Sequence, residues 1–437
     1  MTFGTGHLDT GVALEPAVLP WVLSGRSGEG LRAQASRLLA RARADAGLDV
    51  AEVGRMLAAP RVAFPHRAVV LGAGPDELLA GVRAVAEGAE AANVVGGEAR
   101  AVDRPVFVFP GQGTQWDGMA VELLDSAPVF AASVRECERA LARYVDWSLE
   151  DVLRGVPGAP TLDRVDVVQP VLFAMMVSLA RLWDSFGVRP SAVVGHSQGE
   201  VAAACAAGAL SAADAARIVA LRSKALGAIR GRGAMITVLA PNAQVRTLLS
   251  GWEGRLSVAA VNGPSAITVS GDADAVTEFE SALREARMLR WRVPGVDFAA
   301  HSAHIEEIHG ELLDLAAGIT PRPADAVFYS TVVGEPIPTA ELDAAYWYRN
   351  LRQTVRFDDA ARALIADGHT TFIECSAQPV LTVGLQDTAE EAGATAVIMG
   401  TLRREEGGMN RFLAALAEAY VRGVAVDWKA AFATPAS

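Results

Sequence analysis

The sequence predicts an α/β protein: a parallel sheet covered by helices on both faces, interrupted by an α+β insertion and preceded by a small α/β unit. Three observations carry that prediction. Short apolar runs at Val106-Phe107-Val108-Phe109, Ser191-Ala192-Val193-Val194 and Thr370-Thr371-Phe372-Ile373 alternate with helical stretches, the pattern of strands buried on both faces. Gly195-His196-Ser197-Gln198-Gly199 stands between one of these strands and the helix-forming Glu200-Val201-Ala202-Ala203-Ala204. Between residues 232 and 294 the texture changes to strands and helices in the order of an α+β insertion.

From the N-terminus, Trp21-Val22-Leu23 reads as a strand, residues 30–46 as a long Arg/Ala/Leu helix and residues 67–71 as a second strand. Residues 86–103, rich in Ala, Gly and Glu and containing Gly96-Gly97, read as a linker. The strand at Val106 enters the turn Pro110-Gly111-Gln112-Gly113, and residues 171–186 have the periodicity of a buried helix. Ser211-Ala212-Ala213-Asp214 opens a helix with a serine cap, and its apolar face carries Arg217 and Arg222. In the insertion, residues 234–238, 256–261 and 266–270 read as strands and 273–286 as a helix. The parallel pattern resumes at 370–373 and ends at 396–399; residues 409–422 form an amphipathic helix and 424–428 a closing strand. The expected divisions are 1–103, 104–232, 233–297, 298–400 and 401–437.

With 437 residues, 51% of them hydrophobic and 21% charged, the chain is long enough for two or three compact units. A net charge of −12 argues against nucleic acid or an anionic membrane as the main partner, so an anionic ligand needs a local basic site. Cys137, Cys205 and Cys375 are odd in number and far apart, which indicates neither a disulfide framework nor a zinc knuckle and fits a reducing cytosol. Residues 1–19 lack the layout of an export signal, and the apolar run 171–180 is too short to span a bilayer.

Gly195 to Gly199 has the form of a nucleophile elbow, in which two glycines permit a sharp strand-to-helix turn that presents the Ser197 hydroxyl above the sheet. A serine hydroxyl needs a base within hydrogen-bonding reach. Of seven histidines, His7 and His66 lie in the N-terminal unit, the turn aims His196 elsewhere and His369 falls in a surface loop. His301, His304 and His309 remain. His301 follows Asp297-Phe298-Ala299-Ala300, where an irregular segment returns from the insertion, whereas His304 and His309 continue into a helix over 303–315. Their spacing matches no strong metal pattern. The backbone N–H of Gln198, at a helix start, and that of Gln112, in the glycine-rich turn, are candidate oxyanion donors. A guanidinium at Arg222, on an otherwise apolar helix, suits a substrate carboxylate; an ordinary ion pair with Asp214 or Glu200 is the other reading.

With these motifs assembled, the chain resembles the acyltransferase domains of modular polyketide synthases, relatives of malonyl-CoA:acyl-carrier-protein transacylases. Gly111-Gln112-Gly113, Gly195-His196-Ser197-Gln198-Gly199-Glu200, Arg222 and the Phe298-to-His301 tetrapeptide occur in the family's order. The resemblance implies a hydrolase-like parallel core with a ferredoxin-like insertion, flanked by a ketosynthase-to-acyltransferase linker before it and a trailing linker after it. It implies Ser197 as nucleophile, His301 as base oriented by a backbone carbonyl from residues 350–357, Gln112 and Gln198 at the oxyanion hole, and Arg222 on the acyl carboxylate. No metal and no permanently bound cofactor are implied. Acyl-coenzyme A is the donor, and the phosphopantetheine of an acyl carrier protein is the acceptor.

Arg164-Val165-Asp166-Val167-Val168-Gln169 and Gln198 resemble the variants of domains that load 2-substituted malonyl groups. The tetrapeptide Phe298-Ala299-Ala300-His301 departs from the methylmalonyl pattern Tyr-Ala-Ser-His by losing two hydroxyls. That makes the pocket more apolar and roomier, and each buried methylene contributes about 0.8 kcal/mol, so longer alkyl chains compete with methyl. Gln378 replaces a histidine common in the family, with no role assigned. Two other readings are a thioesterase-like serine hydrolase, which would place its histidine late in the chain, and a non-catalytic docking module.

Overall fold

The computed structural model describes residues 18–44, 47–59, 63–100, 102 and 104–432. Most of the stretch read for an export signal, His7, the helix end at Ala46, the boundary at Asp103 and residues 433–437 lie outside them. The described chain forms two compact units, residues 18–99 with 428–432, and residues 100–427.

The first unit is an antiparallel sheet, β1 (Leu19–Gly25), β2 (His66–Gly72) and β3 (Val94–Glu98), in that order. Trp21, Leu23, Ala68 and Val70 alternate onto one face and pack with Leu39, Val53, Leu78 and Val82 from its helices. The stretch read as a linker contains β3: Gly96 and Gly97 pair with Ala68 and Arg67 at an exposed edge, where backbone bonds hold the strand without side-chain packing. No strand forms at 424–428; Trp428–Phe432 is a short 3₁₀ helix, and the Phe432 ring lies so close to Gly54 that a Cβ there would come within 2.5 Å of it.

The second unit contains β4 (Val106–Phe109), β5 (Ala192–Gly195), β6 (Gly233–Leu239), β7 (Leu256–Gly263), β8 (Ala266–Asp272), β9 (Leu289–Arg292), β10 (Val327–Ser330), β11 (Glu335–Ile337), β12 (Val355–Arg356), β13 (Thr371–Glu374) and β14 (Val397–Gly400). Its main sheet runs β11-β10-β5-β4-β13-β14, parallel except for the edge strand β11. Val106, Val108, Ala192, Val194 and Phe372 face one core; Phe107 turns to the other, against Trp183, which in turn meets Phe412 edge-on at 5.2 Å. Burial on both faces is why these strands are continuously apolar. Strand order reverses at β4, so the crevice beyond the carboxyl ends of β4 and β5 is where the topology opens a site.

The helix read at 171–186 spans Val165–Ser185, because Pro170 falls within its first two turns and forfeits only one bond there. At 21 residues it is long and apolar enough to cross a membrane, yet 89% of its most apolar window is buried inside the protein. The insertion is a β-α-β-β-α-β unit with strand order β7-β8-β6-β9, ferredoxin-like as the resemblance implies, and β12 from outside residues 233–297 joins β7. Strands β9 to β12 were not legible: β11 and β12 are three and two residues long, and β9 alternates arginine with exposed apolar residues. Residues 401–427, read as the start of a trailing linker, pack in this unit, where Phe412, Leu416 and Tyr420 of the helix Met409–Val421 are buried.

Glu374, buried at the end of β13, accepts hydrogen bonds from the N–H groups of Val380 and Leu381 and from the Ser376 hydroxyl, each at 2.9 Å. Burial pushes its carboxyl up to about 7 against the pull of those donors. Glu374→Ala leaves the Val380 and Leu381 N–H groups without their acceptor, while the Ser376 hydroxyl keeps the Gln378 carbonyl at 2.8 Å, and we expect a loss of about 2 kcal/mol, read as a lower denaturant midpoint at unchanged slope.

Candidate active site

β5 ends in the elbow. Ser197 takes φ 55°, a left-handed conformation that costs a non-glycine residue about 1–3 kcal/mol and persists only where its surroundings over-determine it. A Cβ on Gly195 would lie 2.2 Å from the Glu200 nitrogen, and one on Gly199 2.1 Å from the Phe109 carbonyl oxygen. Only glycine fits at either position. The His196 N–H donates to Phe109 O at 2.8 Å, fastening the turn to the end of β4.

His301 is the second strained residue of the site, with φ 57°, and its N–H donates to Leu351 O at 2.9 Å. The Ser197 Oγ lies 2.8 Å from His301 Nε2, and His301 Nδ1 lies 2.8 Å from the Gln353 carbonyl, which falls within the stretch 350–357. Burial, the Arg222 charge and His196 hold the imidazole down at about 3, so it is neutral at physiological pH. A neutral ring bonded to a carbonyl through Nδ1–H turns the Nε2 lone pair toward the serine hydroxyl. That arrangement can deprotonate Ser197 as it attacks.

Arg222, from the helix Ala212–Ala225, donates from Nη2 to Ser197 Oγ at 3.1 Å and from Nη1 to Asn350 Oδ1 at 2.6 Å. It is 5% exposed, its Nε has no hydrogen-bond partner among the described residues, and burial brings it down to about 10. It makes no ion pair with Asp214 or Glu200. Instead Asn350 bridges: its Nδ2 donates to Glu200 Oε2 at 2.7 Å and to Ser197 O at 3.1 Å. Glu200, fully buried, also accepts from the Tyr346 hydroxyl at 2.7 Å and from Thr331 Oγ1 at 2.9 Å, while burial pushes its carboxyl up to about 7.

Asn350, Tyr346 and Thr331 carried no signal in the sequence, since they lie more than 130 residues beyond the serine on other elements. Glu200 was visible as the last residue of the elbow hexapeptide and as an alternative ion-pair partner for Arg222, not as the acceptor that Asn350, Tyr346 and Thr331 share. Asn350→Ala removes three bonds that position the guanidinium and the elbow. We expect kcat/KM for carboxylated acyl thioesters to fall about 10- to 100-fold, with a smaller loss for uncharged ones.

Gly111 stands against the elbow, where a Cβ would sit 3.9 Å from that of Ser197, and Gln112 follows it in the chain, with its Nε2 4.0 Å from where a Cβ on Gly295 would lie. Gln198 is 2% exposed, and neither Oε1 nor Nε2 of its carboxamide is bonded within the described protein. Phe298 and Ala300 join an apolar cluster with Val165, Leu226 and Leu351, while Ala299 backs onto Gly233 at the start of β6. The remaining histidines have other partners: His196 Nε2 meets Asn262 Oδ1 at 2.8 Å, His304 Nε2 meets Asp272 Oδ1 at 2.7 Å, and His309 lies against the Tyr348 ring. Gln378 accepts from Arg404 Nε at 3.1 Å. Burial pushes the Cys137 and Cys205 thiols up to about 12, so neither is a thiolate at neutral pH.

A serine between a neutral imidazole and a buried guanidinium suits acyl transfer of a carboxylated group, and residues 106–426 match the family described as the acyl transferase domain. The chain belongs to that family. This acyltransferase domain is 54% identical over 417 residues to polyketide synthase GfsA of Streptomyces halstedii, covering 95% of this chain and 6% of that protein. It spans between 6% and 22% of the length of the curated relatives it matches. The acyltransferase domain from module 8 of the salinomycin polyketide synthase superposes with a TM-score of 0.90 at 52% identity, covering 94% of this chain and 98% of that one. The acyltransferase domain of SpnD, solved in complex with 2-(pent-4-yn-1-yl)malonyl, gives a TM-score of 0.80 at 29% identity, covering 95% and 98%. The chain is thus an acyltransferase domain of the modular polyketide synthase kind, and the thioesterase-like hydrolase reading is not favoured.

Proposed function

We propose that this domain moves a 2-substituted malonyl group, methylmalonyl or a larger alkylmalonyl, from coenzyme A to the phosphopantetheine thiol of an acyl carrier protein by a ping-pong route. The observation that carries the reading is the buried Arg222 guanidinium, 3.1 Å from the Ser197 hydroxyl. A cation so placed is of little use to a neutral acyl group and of great use to one bearing a free carboxylate.

His301 Nε2 takes the Ser197 proton as Oγ attacks the thioester carbonyl; the coenzyme A thiolate leaves and is protonated by His301. The carrier thiol then gives its proton to His301, attacks the seryl ester, and the Ser197 oxygen recovers the proton. The backbone N–H groups of Gln112 and Gln198 face the developing oxyanion, an assignment supported by the packing of Gly111 against the elbow. The position of Phe298 and Ala300 in an apolar cluster supports a hydrocarbon branch on C2, and their lack of hydroxyls supports tolerance of branch length. On this reading the domain works in a cytosolic synthase beside a ketosynthase, with Phe298, Ala299, Ala300 and Gln198 setting extender choice.

A competition assay with equimolar malonyl-, methylmalonyl-, ethylmalonyl- and bulkier alkylmalonyl-CoA tests it. Adjacent chain lengths should differ by about 1–3 kcal/mol or less, with malonyl loaded least. Preference for malonyl would remove the extender assignment.

A further inference from the structure

Three of the nine large apolar side chains left exposed among the described residues lie together: Leu289 at 63%, Trp291 at 45% and Leu239 at 39%. The ladder between β6 and β9 explains why. Leu239 is paired with Leu289 and Thr237 with Trp291, so these side chains share one face, opposite the Ile236 and Val238 face that packs on the insertion's helices.

β9 is also the outer strand of its sheet. Arg284, Arg287, Arg290 and Arg292 crowd into nine residues here, against Glu280 and Glu285, in a chain whose net charge is −12. Glu280 is occupied by Arg292 at 2.9 Å. Arg284 and Arg287 are exposed. Charge on an edge strand guards against unwanted pairing, but that purpose does not account for an exposed tryptophan and leucine beside it. Arg290 and Arg292 alternate onto the helix-packed face, whereas Arg284 and Arg287 stand in the helix end and the turn that lead into Leu289; apolar anchors flanked by arginine are the composition of a protein interface.

The rim leads directly to the site. After β9, Val293 donates to Met235 O at 3.0 Å and the chain turns through Gly295, where a Cβ would lie 4.0 Å from Gln112 Nε2. Trp291 is four residues from that point, at most about 14 Å of chain.

We propose that the rim formed by Leu239, Leu289 and Trp291, with Arg284 and Arg287, is the docking surface for an acidic, apolar-centred face of the carrier domain whose thiol arm reaches Ser197. Charge complementarity selects an acidic partner, and the strand's course to Gln112 places that partner beside the nucleophile. The inference rests on the acyl-transfer reading.

The test uses the full chain and three measurements: acylation by methylmalonyl-CoA, transfer from the acylated domain to a phosphopantetheinylated carrier domain, and transfer to free pantetheine. Two exposed double variants are compared with the parent, Arg284→Glu with Arg287→Asn, and Leu289→Thr with Trp291→Thr; asparagine tolerates the positive φ of residue 287. Each should raise the KM for the carrier about tenfold or more, leaving acylation and transfer to pantetheine within about twofold. Carrier transfer unchanged in both variants would overturn the docking surface while leaving acyl transfer intact. Slower acylation with an unchanged carrier KM would overturn it by assigning the arginines to the coenzyme's phosphates. A lowered sedimentation coefficient with unchanged carrier transfer would overturn it in favour of a second copy of this chain. A parent chain that is never acylated would remove the underlying reading before any variant is compared.

Discussion

His301→Ala slows acylation of Ser197 by about 10³- to 10⁴-fold while thioester binding stays within a few fold. The expectation follows from the serine's surroundings: His301 Nε2 accepts its proton and Arg222 Nη2 donates to the same oxygen, so without the imidazole a cation faces the hydroxyl and no base does. The pH profile carries a second signature. Burial and the Arg222 charge both disfavour the imidazolium and hold His301 at about 3, so kcat/KM should stay level as pH falls from 8 to the lowest pH at which the fold survives. Removing the Arg222 charge removes one cause of the depression, so the acid limb should move to higher pH in an Arg222 variant. On the proposed reading, a substrate carboxylate held by Arg222 would offset the same charge, so the arriving acyl group would itself make the base stronger. Stability follows the same sign. Between about 3 and the ordinary histidine value the unfolded chain binds the proton that the folded chain refuses, so acidification through that window weakens the fold.

Arg222→Leu lowers kcat/KM for methylmalonyl-CoA by about 10²- to 10³-fold, the cost of losing a charge-assisted clamp in a buried site. Propionyl-CoA, the same acyl group without its carboxylate, should lose nothing or gain, so the ratio of the two reports the clamp separately from any damage to the nucleophile. The fold should tolerate the change. Arg222 makes no ion pair among the described residues, and leucine removes a guanidinium whose burial is unfavourable enough to bring it down to about 10. Its loss does leave Asn350 Oδ1 without its donor, so a modest fall in the unfolding midpoint accompanies the loss of selectivity. Equal losses for both thioesters would contradict the carboxylate assignment.

Much of this site was readable because the elbow is local: strand, two obligatory glycines and helix occupy consecutive residues, and the close approach of Phe109 to Gly199 leaves its mark as glycine in the sequence. Ser197 was marked by the elbow, His301 by the irregular segment that leads into it, and Arg222 by its otherwise apolar helix, with the family resemblance assigning their roles. Asn350 could not, because an asparagine in a helix gains its meaning only when folding brings it under Glu200 and Arg222. The parallel strands were legible through their unbroken apolar runs, whereas β3 was masked by a glycine pair and β12 by its length of two residues. Residues 401–427 read as a tail because an amphipathic helix at a chain end gives no sign of which core receives it; the partner, Trp183, lies more than 200 residues earlier.

Intact-mass measurement of the chain mixed with methylmalonyl-CoA, followed by a carrier-protein chase, tests most directly whether Ser197 holds a carboxylated acyl group in transit. One methylmalonyl adduct is expected, mapped to Ser197 and absent in Ser197→Ala, that persists in buffer and passes to the carrier when it is added. An adduct on another residue, or one released to water as fast as it forms, would contradict it.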